Sequence, residues 1–310
     1  MRFSIWPSTS RPWGDILTLA HHCDATGWDG LYLADHFMPH GDLTGGGDLT
    51  AALDGDKLEC WSVLAALAAT VPRLRLGSLV SGMTYRHPAV LANIAAAVDR
   101  ISGGRVVLGV GAGWQLNEHL AYGIELGSLS ERMDRFDEAC EVITSLLRQR
   151  RSTFTGRYYR LVDAPNQPVP VQRRLPLLVG GGGEQRTLRI AARHADQWNV
   201  WSTPDVLARK LGVLHERCAE IGRDPGEIAV STQALLFLST DADRVAAARR
   251  VAPAGRSIVG MPPEVTDIVG RYRAAGAEEL IVPDNMEALD TWIDSCDLFI
   301  DEVARHFRTR

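Results

Sequence analysis

Residues 176–201 read PLLVGGGGEQRTLRIAARHADQWNVW, and this stretch decides the fold. An apolar run from Pro176 to Gly180 ends in four glycines, Gly180, Gly181, Gly182 and Gly183. A helical segment begins near Glu184, and a second apolar run, Ala195 to Trp201, follows it. Strand, glycine loop, helix and strand in that order form a βαβ unit, whose strands run parallel because the helix carries the chain back to the starting edge. The same rhythm extends in both directions. IAVSTQALLFL at 228–238 and ELIVP at 279–283 are strands on the C-terminal side. RVVLGVG at 105–111, RLRLGSLV at 73–80, LYLAD at 31–35 and RFSIW at 2–6 are strands on the N-terminal side. The eight together predict an α/β fold of the closed (β/α)8 TIM-barrel type.

The intervening helices carry their own signals. Ile16, Leu19, Ala20 and Cys23 share one face of a helix over 13–26, with Gly27 placed for a left-handed cap. A helix near 59–70 precedes the third strand, and Pro88 suits the first position of a helix ending at Ser102-Gly103-Gly104. Ser128 and Glu131 form a capping-box pattern, after which Met133, Phe136, Cys140, Ile143 and Leu147 line one face. Two stretches interrupt the rhythm: a glycine- and aspartate-rich segment at 41–56, expected to be a mobile loop, and a proline-rich insertion at 150–175. Insertions beside barrel strand ends commonly shape an active-site mouth.

With 310 residues, 45% of them hydrophobic, the chain can bury one large core, and a single barrel domain spanning 1–310 is the expected organisation. A formal charge of −5 argues against a nucleic-acid or anionic-membrane surface. The five cysteines are scattered, odd in number and set in helical stretches, as in a reducing cytoplasm. No apolar run suits a signal peptide or a spanning helix, so a soluble cytoplasmic protein with a small-molecule substrate is expected.

Chemistry concentrates where strands give way to loops. Asp35 and His36 follow strand two, and an imidazole there can exchange a proton near neutral pH. His36 and His40 lack helical context and a third ligand, so no metal site is assigned. Gly180, Gly181, Gly182 and Gly183 offer backbone N–H groups at a helix start, which suits phosphate, with Arg186 as counter-charge; tight turning alone is the alternative reading. Gly109-Val110-Gly111-Ala112-Gly113 lacks the acidic residue a dinucleotide unit needs, and reads as small residues that let a ligand approach the backbone.

Taken together, Ala34-Asp35-His36-Phe37, Thr84-Tyr85-Arg86-His87-Pro88, Ser102-Gly103-Gly104-Arg105, Gly109 to Trp114, and Gly180 to Gly183 with Ala195 to Asn199 resemble the luciferase-like monooxygenase family, in the spacing of its deazaflavin-dependent branch. The resemblance covers residues 1 to about 285. It implies coenzyme F420 as cofactor, with flavin mononucleotide and molecular oxygen as the alternative. The activity it implies is hydride transfer between the deazaflavin and an organic substrate. It further implies a non-proline cis peptide at Leu79–Val80 backing the ring. Cofactor contacts are implied for Asp35, His36, Gly113 and Asn117, and for Gly180, Gly181, Gly182 and Gly183 with Arg186. His36 is the expected proton donor or acceptor, oriented by Asp35, while Trp114 and His40 face substrate. Sugar-phosphate-oxidising relatives place a catalytic glutamate where Trp114 stands, so neither that acid nor a sugar phosphate is expected here. Dimerisation through the helix bearing Trp61, Leu64, Ala65 and Ala68 is also implied; by its pattern alone that stripe equally suits packing on the barrel. Two readings lie outside this chemistry. A Schiff-base barrel is disfavoured because Lys57 precedes a helix and Lys210 lies within one. A barrel that binds cofactor without turnover stays open, given Trp114.

Overall fold

A computed structural model describes residues 1–39, 50 and 53–308. His40, expected to face substrate, and most of the segment 41–56 lie outside the described residues. The elements in chain order are β1 (Arg2–Trp6), α1 (Trp13–Thr26), β2 (Gly30–Leu33), α2 (Cys60–Thr70), β3 (Arg75–Ser78), β4 (Ser81–Gly82), α3 (Pro88–Ser102) and β5 (Val106–Gly111). They continue with α4 (Leu116–Ala121), α5 (Leu129–Arg148), β6 (Arg151–Thr155), β7 (Arg160–Pro165), β8 (Leu177–Gly180), α6 (Thr187–His194), β9 (Gln197–Trp201) and α7 (Pro204–Glu220). Last come β10 (Ala229–Gln233), β11 (Leu235–Leu238), α8 (Ala242–Val251), β12 (Ser257–Gly260), α9 (Pro262–Ala274), β13 (Glu279–Pro283) and α10 (Leu289–Leu298).

Strands pair in parallel in the order β3-β2-β1-β13-β10-β9-β8-β5-β4, and β3 also pairs with β5, which closes the ring. Eight strand positions result, because β4 resumes the path of β3 beyond a bulge at Leu79 and Val80. The register runs Arg2 with Glu279, Gly30 with Arg75 and Leu76 with Val106 around the closure. A (β/α)8 barrel is therefore what the alternating pattern builds. Its interior is filled by Tyr32, Val107, Leu178, Ile281 and Leu79, and a larger apolar layer lies between strands and helices. Fully buried Glu279 holds the lower interior, accepting from Ser4 Oγ at 2.6 Å and facing Arg2 and Arg75.

Helix boundaries follow local chemistry. Ser128 Oγ accepts from Glu131 N–H and the Glu131 carboxylate accepts from Ser128 N–H, completing the capping box of α5. His87 caps α3, Pro88 is its first residue, and Gly103 ends it in the left-handed region at φ 70°.

One reading needs correction and two gain detail. The run 228–238 is two strands: β10 belongs to the barrel, whereas β11 pairs with β12 in a separate parallel sheet that the apolar pattern alone could not split. The proline-rich insertion contains an antiparallel hairpin, β6 with β7, whose strands are short and mostly exposed. Of the two readings open for the α2 stripe, packing on the barrel is the one observed for Trp61, Leu64 and Ala68, which are buried in the core. No helix among the described residues is long and apolar enough to cross a membrane.

Candidate active site

A cavity of about 720 Å³ opens at the C-terminal rim of the barrel. Its walls come from the ends of separate strands: Trp6 after β1, His36 after β2, Leu79 and Val80 at the bulge, Trp114 after β5, Trp201 at the end of β9 and Asp284 after β13. The volume lies within the range of small-molecule sites.

His36 is fixed from behind. Its Nδ1 lies 2.7 Å from Glu118 Oε1, and Glu118, on α4, is fully buried. The same carboxylate accepts from the Tyr85 hydroxyl and from the Phe37 N–H at 2.8 Å. Burial pushes the Glu118 carboxyl up, but bonds from His36, Tyr85 and Phe37 outweigh it and hold the group below the ordinary carboxylate value. Tyr85 is pushed far up, by burial first and by Glu118 second, so it stays a neutral donor. With Nδ1 engaged, the Nε2 edge of His36 is left for the cavity it lines. Trp114 meets the imidazole edge-on, with centroids 5.4 Å apart, and is 47% exposed, forming an outer wall.

Asp35 does not orient His36, contrary to expectation. It is fully buried and receives Arg86 Nη1 at 2.6 Å and Nη2 at 3.2 Å, while Arg86 also pairs with Glu59. Burial raises the Asp35 carboxyl despite Arg86. Arg86 thus neutralises a carboxylate beneath the site.

The bulge is built into a glycine floor. The Leu79–Val80 peptide is cis, as the resemblance implies. A Cβ on Gly109 would lie 1.9 Å from the Ser78 carbonyl oxygen, and one on Gly111 or Gly180 would lie 2.7 or 2.8 Å from Val80 methyl carbons. A side chain at Gly111 or Gly180 would displace Val80 and one at Gly109 the Ser78 carbonyl that leads into the bulge, so the absence of Cβ atoms sets the wall's position.

The glycine loop is not part of the cavity lining, and several of its groups bond within the protein. Gly181 is the clearest departure from the expected anion cradle. Its N–H donates to the Asn199 carbonyl at 2.9 Å, and its own carbonyl accepts from Trp198 Nε1 at 2.8 Å. Its φ of 123° lies where side chains are disfavoured, so Gly181 serves a turn that ties the end of β8 to β9. The Gly182 carbonyl accepts from Lys210 Nζ at 2.5 Å, and Lys210 also meets Glu184 at 3.0 Å. The Gly183 carbonyl accepts from the N–H of Leu188 at 3.0 Å, as the chain enters α6. Arg186 pairs with Asp134 and donates to the Ser130 carbonyl on α5. The sequence pattern alone could not tell a phosphate cradle from a turn, because both ask for glycine.

Asn117 is buried with its amide on the Pro39 carbonyl at 3.1 Å, which holds the segment after His36 rather than lining the cavity. Gly113, at φ 84°, does line it, against Thr84. Sequence reasoning did not single out Glu118 as the partner of His36 and gave Lys57 no role. Asn117-Glu118, just past the glycine-rich strand end, was the available signal for the former.

A family model described as luciferase-like monooxygenase matches residues 1–288. Over 218 residues the chain is 33% identical to an F420-dependent glucose-6-phosphate dehydrogenase of Microbacterium testaceum (strain StLB037), covering 69% of this chain and 61% of that protein. It is 30% identical over 238 residues to an F420-dependent hydroxymycolic acid dehydrogenase of Mycobacterium tuberculosis (strain ATCC 25618 / H37Rv), covering 75% of this chain and 61% of the relative. The chain thus spans about three-fifths of the length of these curated relatives. The solved coenzyme F420-dependent tetrahydromethanopterin reductase of Methanopyrus kandleri superposes with a TM-score of 0.82 at 20% identity, over 99% of each chain, which is a likeness of fold. On the extent of the family match, borne by the barrel and the linked rim motifs, the chain belongs to the luciferase-like monooxygenase family.

Proposed function

We propose that this chain is a coenzyme F420-dependent oxidoreductase acting on an organic substrate, in which the bound deazaflavin supplies the ring carbon that gives or takes a hydride. The observation that carries the reading is the rim cavity itself. It has a glycine-backed bulge at Leu79–Val80 as one wall and an imidazole clamped by a buried carboxylate as another. A flat ring system fits a wall whose position depends on three missing Cβ atoms, and the names of the curated relatives support the deazaflavin. The relatives' own substrates differ from one another.

His36 holds or accepts the substrate proton at Nε2. Glu118, an anion below the imidazole, accepts from Nδ1 and so leaves Nε2 toward the cavity. Tyr85 and the Phe37 N–H keep Glu118 from turning. Trp114, Trp6 and Trp201 exclude water and press the reactants together. Asp35 enters only indirectly, by fixing Arg86 and the chain that leads to His36.

The test is anaerobic reoxidation of the reduced deazaflavin by a panel of carbonyl compounds, with wild type and His36→Ala compared. Turnover by wild type that falls by about 10²-fold or more in the variant is expected. Equal turnover by both would remove His36 from the chemistry.

A further inference from the structure

Lys57, in the connection before α2, lines the rim cavity together with His36, Ser8 and Thr9. Among the described residues its ammonium has no hydrogen-bond or ion-pair partner, and Glu118 acts on it only through space. Burial lowers its pKa from the ordinary lysine value, so the charge is held where water reaches it poorly. A cation so placed lacks its anion.

A second group nearby is also unsatisfied. Thr9 is 1% exposed, and its hydroxyl has no partner among the described residues. Its backbone carbonyl accepts from the N–H of Leu58 at 2.9 Å, which fixes it beside Lys57. The Asp284 carboxylate on the cavity wall cannot answer either group. It is already taken by Arg11, at 2.6 and 2.8 Å, and by the N–H groups of Ser8 and Met286. Another cation of the lining, Arg256, sits exposed at the mouth over the Trp201 ring, 5.0 Å from its centroid.

We propose that the cavity recognises a substrate bearing a carboxylate, whose oxygens accept from the Lys57 ammonium and the Thr9 hydroxyl while its carbon skeleton lies among the indoles of Trp6, Trp114 and Trp201. One ammonium and one hydroxyl match a monoanion, whereas a phosphate dianion draws on more donors. This names the substrate class of the oxidoreductase proposed above and rests on that reading for the word substrate; the anion selectivity is measurable without it. The other source of a carboxylate or phosphate oxygen at Lys57 is the acidic tail of the deazaflavin, and the experiment separates the two.

Benzoate and benzamide, alike in shape and different in charge, are titrated into wild type, Lys57→Met, Thr9→Val and Arg256→Gln. Binding is read from tryptophan fluorescence, and circular dichroism checks that each variant is folded. Wild type is expected to prefer benzoate by about tenfold or more. Lys57→Met should abolish the preference, Thr9→Val should narrow it, and Arg256→Gln should keep it. Failure of wild type to bind benzoate at millimolar concentration, an equal affinity for both probes, or a preference that survives Lys57→Met overturns the proposal. In a parallel arm, coenzyme F420 and a deazaflavin lacking the anionic tail are titrated into wild type and Lys57→Met, with equal affinities for the two proteins expected. Selective loss of F420 binding in Lys57→Met assigns the lysine to the cofactor tail and overturns the substrate claim. Failure of wild type to bind any deazaflavin sinks the cofactor reading instead, and leaves the benzoate result to stand or fall alone.

Discussion

Glu118→Gln separates the clamp beneath His36 from everything else at the rim, because the change keeps shape and removes charge. Three donors converge on the carboxylate: His36 Nδ1 at 2.7 Å, Phe37 N–H at 2.8 Å and the Tyr85 hydroxyl. A glutamine offers one accepting oxygen, so at least one donor faces an NH2 group and is left buried without a partner, at a cost of about 1–3 kcal/mol. The bonds that remain lose their charge assistance, roughly another 1 kcal/mol. The sum, about 2–4 kcal/mol, corresponds to a fall in Tm on the order of 3–6 °C for a chain of this size. Thermal unfolding followed by circular dichroism reads it. The pH dependence supplies a second reading. A carboxyl held below its ordinary value of 4.5 contributes stability that is present above that value and lost as pH falls through the folded-state pKa. The gap in Tm between wild type and variant should therefore be full at neutral pH and close as the solution is acidified below about 4.5. A Tm within about 1 °C of wild type at neutral pH, or a gap that does not narrow in acid, would refute the clamp.

Other perturbations follow from the same geometry. Gly109→Ala places a methyl 1.9 Å from the Ser78 carbonyl, so the bulge must move; a loss of about 1–3 kcal/mol by urea unfolding, with weaker deazaflavin binding, is expected. Arg86→Met strands the buried Asp35 carboxylate at a cost on the order of 3–5 kcal/mol. Because burial already raises Asp35, that loss should shrink as pH falls and the group protonates, and a loss that grows in acid would contradict the assignment. Arg186→Ala, by contrast, breaks a half-exposed pair with Asp134 worth at most about 1 kcal/mol and should leave cofactor affinity unchanged in a fluorescence titration.

The barrel was legible because its cause is local. A strand buried on both faces reads as a short apolar run, and a helix reads as a stripe, as in β8, α6 and β9. The exceptions share a cause: β6 and β7 are mostly exposed and β12 is only half buried, so none of them reads as a strand buried on both faces. His36 and the bulge were legible as positions at strand ends. Their partners were not, since His36 and Glu118 are separated by 82 residues and nothing in either segment names the other. Asp35, adjacent in sequence, looked like the natural partner of His36, but the backbone sends it to Arg86. Gly181 and Arg186 misled for a related reason. An amide or a charge near a loop in sequence follows the nearest acceptor in space, here the Asn199 carbonyl and the Asp134 carboxylate. Lys57 reads as a helix-entry residue until the closed barrel brings it to the wall of the cavity.

The central claim is that the rim cavity takes a deazaflavin. Parallel titration of the purified protein with coenzyme F420 and with flavin mononucleotide, followed by visible absorbance and cofactor fluorescence, tests it most directly. Saturable binding of the deazaflavin, weakened in Gly109→Ala and with little or no response to flavin mononucleotide, is the expected result. Tight binding of flavin mononucleotide together with none of the deazaflavin would contradict it.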